Sequence, residues 1–136
     1  MNRADLQALT RQRLREARIL RDDGQWGGAY YLTGLAVECA LKACIAKRTE
    51  RYDFPDRKRV HDSHTHDLGD LLKLANLEGV LRTDARAALG VNWGVVKDWR
   101  VEARYNRSVT RAAAQDLYRA ATQRQTGIIP WLRQRW

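Results

Sequence analysis

At 136 residues the chain is sized for one domain with a single core, and 44% apolar with 30% charged residues excludes a disordered composition. The net charge is +9 and 20 of the 25 basic residues are arginine, a balance that favours acidic partners such as RNA, DNA or nucleotides. Cys39 and Cys44, the only cysteines, sit five apart in one apolar segment and diverge on a helix, which excludes a local disulfide and implies a reducing compartment.

The opening Met1-Asn2-Arg3-Ala4-Asp5 leads into a charged helix and not into a secretory leader, so a cytoplasmic location is expected. The first helix is expected from about Ala4 to Arg21, ended by the turn Asp22-Asp23-Gly24. Leu6, Leu9, Ala17 and Leu20 share one face, with Arg13 in the middle of that stripe, while Arg11, Arg15 and Arg18 line the opposite face. A charge on a buried face needs a partner, and in an antiparallel hairpin turning near Gly24, Arg13 comes within reach of Glu38. The alternative is an arginine at the stripe's edge with its head in water.

The second helix, from about Trp26 to Lys47, is apolar nearly all round, the pattern of a helix enclosed by protein on most sides. In a small domain a second subunit is one route to that coverage, and Gly34 permits a close helix crossing. Glu38 and Lys42 stand four apart, acid first, in the favourable order for a helix pair. Their place in the middle of the most apolar stretch argues against a membrane span.

Residues Thr49 to His66 form a long charged connection that includes Arg59, His61, His64 and His66, and its length hints at function. A third helix is expected from about Asp67 to Leu77, with Leu68, Leu71, Leu72 and Ala75 facing the core. A fourth runs from Thr83, as its N-cap, to about Tyr105, with a break at Gly90 or Gly94 as an option. The last begins near Ser108 or Thr110, carries Ala113, Leu117, Tyr118 and Ala121, and is interrupted by Gly127 and Pro130 before Trp131-Leu132. The fold class is all-α: one domain over residues 1–136, an antiparallel bundle of about five helices.

Two segments carry candidate chemistry. His61, His64 and His66 with Asp62 and Asp67 place five possible metal ligands in seven residues. A loop of this composition also reads as simply solvated, and with no ligand marked elsewhere neither a metal nor a cofactor is expected. The run Trp99 to Arg107 is the second. Arg100, Arg104, Arg107 and Arg111 recur every three or four residues, a basic ridge wherever the helix continues, and Tyr105 can stack on a base. A solvated face explains the arginines alone; the aromatic tips the reading towards a phosphate-binding surface. No nucleophile arrangement, glycine-rich phosphate loop or pair of set-apart carboxylates stands out.

The string Ala36-Val37-Glu38-Cys39-Ala40-Leu41-Lys42-Ala43, then Thr65-His66-Asp67-Leu68 with Leu71-Leu72, then Arg104-Tyr105 after a tryptophan-rich helix and a closing Trp131-Leu132, resembles the HEPN domain family (higher eukaryote and prokaryote nucleotide-binding domain). The resemblance spans about Leu6 to Trp136 and rests on the order and spacing of these segments. It implies a homodimer with a functional cleft along the subunit interface. It also implies either a metal-independent ribonuclease of toxin–antitoxin or defence systems, or a non-catalytic RNA- or nucleotide-binding member beside a small nucleotidyltransferase. The catalytic signature of that family is an arginine and a histidine with four to six residues between them, in the C-terminal half. Here four residues after Arg100 lead to Tyr105 and not to a histidine, and no histidine follows His66. Arg59 to His64 or His66 fits the spacing but falls before the third helix.

The expectation is therefore a non-catalytic or degenerate HEPN dimer that binds RNA, a nucleotide or a partner protein, in a prokaryotic two-gene system, with Arg100, Arg104 and Tyr105 lining the cleft and Arg107 at its edge. One alternative is a ribonuclease using Arg59 or Arg100 with His64 or His66. Another is a helical scaffold for a nucleotidyltransferase-type antitoxin partner.

Overall fold

The computed structural model describes residues 1–51 and 64–136, and among them are seven α-helices and no strand. Helix α1 (Arg3–Asp22) opens on a reciprocal cap: Asn2 accepts from the Asp5 amide, and the Asp5 carboxylate accepts from the Asn2 amide. It folds back through Gly24, at φ 78°, onto α2 (Trp26–Arg51), giving the expected hairpin. The buried stripe of α1 is Leu6, Thr10 and Ala17, with Leu14 partly covered and Leu9 and Leu20 only half-buried. Thr10 tolerates its place because its hydroxyl donates to the Leu6 carbonyl at 2.9 Å. Arg13 does not pair with Glu38. It takes Glu16, one turn further along α1, at 2.7 Å, and behaves as the edge arginine of the alternative reading.

From Trp26 to Ala46 no residue of α2 is exposed within a single chain. The coverage comes from α1, α3 (Leu68–Leu74), α6 (Arg111–Thr122), α7 (Ile128–Arg133) and a 3-10 turn (Val101–Tyr105), all packed on α2. A second subunit is not needed to enclose it. By length and composition Trp26–Thr49 could cross a membrane, but 67% of its most apolar window is buried inside the fold, as in a core helix.

The middle of the chain departs from the expected two long helices. Helix α3 starts at the Asp67 cap and stops at Asn76, whose left-handed φ of 59° an asparagine tolerates. A short α4 (Glu78–Arg82) follows, and Thr83 closes that helix instead of opening the next. Helix α5 (Ala87–Val96) runs unbroken through Gly90 and Gly94 and ends well before Tyr105. The cause is Trp99. Its indole is fully buried, stacked on Tyr31 at 6.1 Å, and to get there the chain leaves the helix and turns extended at Arg100 (φ −130°, ψ 148°). Gly34 does permit a close approach, but by this indole and not by another helix: a Cβ on Gly34 would lie 2.1 Å from it.

Helix α6 begins as expected, with the Thr110 hydroxyl accepting from the Ala113 amide at 3.1 Å. Gly127 then caps α7, where Pro130 sits in the first turn, which needs no amide donor there.

Candidate functional site

Glu38 is the chemical anomaly of the core. It is 3% exposed in the middle of α2 and needs more than one partner to keep a charge there. Lys42, one turn on, supplies the first at 2.9 Å. The second is His66, whose Nδ1 lies 3.0 Å from one carboxylate oxygen and 3.1 Å from the other. The turn that delivers the histidine is locked locally. The Thr65 hydroxyl accepts from the Asp67 amide, and the Asp67 carboxylate accepts from the Asp70 amide to cap α3. His66 thus has one ring nitrogen held by a buried carboxylate, while its side chain remains 52% exposed. Its Nε2 makes no hydrogen bond among the described residues.

Arg100 reaches the same corner. Its guanidinium donates to the carbonyls of Lys97 and Trp99 and lies 3.9 Å from the Asp67 carboxylate, next in sequence to His66. The contact is exposed on both sides and adds little stability. Its value is positional: the α2 acid, the turn before α3 and the segment after α5 meet in one place.

No family model, curated protein or solved structure matches this chain.

The basic ridge expected through Arg100, Arg104, Arg107 and Arg111 does not lie on one helix, because the helix ends at Val96. Arg100 is in the extended segment, Arg104 in the 3-10 turn, Arg107 just beyond it, and Arg111 at the start of α6. All four are exposed. Tyr105 is 74% exposed, with the Arg104 guanidinium 4.9 Å from its ring centroid. Between the 3-10 turn and α6 lies a groove of about 460 Å³, lined by Tyr30, Asp98, Arg100, Glu102 and Thr110 among others. Burial, and then the charge of Asp98, push the Tyr30 phenol above its ordinary pKa. With two acids against one arginine the groove itself repels phosphate, so an anion would track the outer arginines.

His64 is exposed. Arg59 and His61 lie outside the described residues, and among those described no three His, Cys, Asp or Glu side chains are grouped to hold a metal. The thiols are not nucleophiles. Burial, then the neighbouring Glu38 charge, raise Cys39 to about 11, and burial raises Cys44 to about 12.

The Glu38–His66 contact is what sequence reasoning missed. The available signal was a carboxylate alone in an apolar helix, which one lysine at the helix's edge does not fully satisfy.

Proposed function

We propose that this chain is a HEPN-type RNA- or nucleotide-binding domain, acting in a prokaryotic toxin–antitoxin or defence-type two-gene system. The setting comes from the resemblance alone; the binding mode rests on one observation. Tyr105 is held out in water beside the Arg104 guanidinium, and Arg107, two residues on, is exposed as well. An exposed aromatic face next to arginines is a platform for a base and its phosphate, and it tolerates any sequence. The net charge of +9 steers a polyanion towards it.

Fluorescence anisotropy with a short single-stranded RNA tests this. Tyr105→Ala should weaken binding by roughly 5- to 100-fold, the range for losing one stacked base. Arg104→Ala with Arg107→Ala should flatten the dependence of log affinity on log salt by about 1.4, at ~0.7 per phosphate contact on a single strand. Affinity and slope unchanged in both variants would overturn the reading in favour of a surface for protein.

A second reading, RNA cleavage, is favoured by the geometry at His66. With Nδ1 on a buried carboxylate the imidazole is fixed in orientation, leaving Nε2 to take the proton of a ribose 2′-hydroxyl as its oxygen attacks the adjacent phosphorus. The 5′-oxygen leaves, taking a proton from solvent water, giving a 2′,3′-cyclic phosphate and a 5′-hydroxyl, and Arg100 stabilises the charge on the phosphorus oxygens. If the protein cleaves RNA, His66→Ala should lower the rate by about 10²- to 10⁴-fold while His64→Ala leaves it unchanged. Equal cleavage by wild type and His66→Ala would reject this site.

A further inference from the structure

We infer that the groove between the end of α1 and the outer face of α6 seats the phosphates of a single-stranded RNA, carrying on the strand that stacks on Tyr105. The inference rests on the RNA-binding reading and gives the bound strand a path.

Three arginine–aromatic pairs mark that path. The guanidinium carbon of Arg104 stands 4.9 Å from the Tyr105 ring centroid, that of Arg111 5.8 Å from Trp26, and that of Arg21 4.3 Å from Tyr118. The pairs follow one another in space. A Cβ on Gly27 would lie 3.6 Å from the Asn106 carbonyl, so the chain just after Tyr105 runs past the start of α2, where Trp26 stands. Arg111 and Tyr118 then share one face of α6, two turns or about 10 Å apart. A guanidinium already held against a ring loses little freedom when a ligand arrives, and it offers its charge to a phosphate and its plane to a base.

The path ends in a groove of about 370 Å³, lined by Arg21, Gln115, Tyr118, Arg119, Thr122 and Gln123. No carboxylate lines it, whereas Asp98 and Glu102 line the groove beside the 3-10 turn, and Asp67, Asp70, Glu78 and Asp84 line the cavity among α3, α4 and α5. Arg21 shares Nε and Nη2 with Asp22 and keeps Nη1. Arg119 is exposed and has no ion pair among the described residues. Asp116, the acid of α6, stands ~140° round the helix from Arg111. Another groove without acids, at Lys47 and Arg135, lies about 30 Å along α2 from Trp26, off this path, and supplies a control.

The test is fluorescence anisotropy of the full chain with oligouridylates of increasing length, with thermal melts as the folding control. Affinity should rise once the strand is long enough to pass from Tyr105 into the groove. Gln115→Glu, which puts an acid there, and Arg119→Ala should each remove most of that rise and leave the shortest oligomers that bind unaffected. On long strands Arg119→Ala should also lower the slope of log affinity against log salt by ~0.7, one phosphate contact. Lys47→Ala should change neither quantity. A rise that survives both groove variants, or that Lys47→Ala removes, overturns the inference, and the effect of Tyr105→Ala on short oligomers then still decides the RNA-binding reading by itself. If Tyr105→Ala binds like wild type while the groove variants lose the rise, the platform at Tyr105 is overturned and the groove stands.

Discussion

Gly34→Ala should destabilise this protein by about 3 kcal/mol or more, the upper end of what overpacking a core costs. The added Cβ would sit 2.1 Å from Trp99 Cε2 and Nε1 and 2.2 Å from Cδ1. Relief by moving the indole is blocked, because it is fully buried and stacked on Tyr31. Relief by moving α2 would shift the helix on which the rest of the bundle packs. Denaturant melts of Gly34→Ala, alone and with Trp99→Phe, give the measurement. The smaller ring should recover part of the loss. A cost below about 1 kcal/mol would mean that the segment after α5 does not rest against α2 in this way.

Glu38→Ala should cost about 3 kcal/mol, towards the lower end for removing one partner of a buried ion pair. The carboxylate side chain is 4% accessible and its removal orphans the Lys42 ammonium, but Lys42 is 21% accessible and can swing towards water. His66, at 52%, loses an anchor and not its solvation. Three variants separate these contributions. Glu38→Gln keeps an oxygen for His66 Nδ1 and should lose less than Glu38→Ala. Lys42→Met in the Glu38→Ala background should return stability, since it removes the orphaned charge. If Glu38→Ala costs only a few tenths of a kcal/mol, the corner at His66 is not held by this carboxylate.

How much of this was legible depended on the range of the interaction. The Glu38–Lys42 pair, the Thr110 cap and the Gly127–Pro130 interruption are local, and residue type with spacing is enough to read them. The all-α class follows from the same periodicities. The end of α5 was not legible: Val95 to Tyr105 continues a helical pattern, and the chain departs from it because Trp99 gains more by burial against Gly34 than by staying in register. That competition depends on a residue 65 positions earlier. For the same reason the arginines of the expected ridge were correctly picked out as exposed and wrongly placed on one helix. His66 falls at the end of the charged connection in the sequence, but its partner lies 28 residues away on α2.

The enclosure of α2 by elements far along the chain also bears on synthesis. Residues of α7 such as Ile129, Trp131 and Leu132 belong to the cluster that seals α2. They are translated roughly 80 residues after α2 is complete, a delay of about 4 to 16 seconds at ~5–20 residues per second. Throughout that interval the nascent polypeptide displays a greasy segment of the length that insertion machinery and chaperones recognise at the ribosome. Glu38 and Lys42, charged at its centre, are then what distinguishes it from a segment to be passed into lipid.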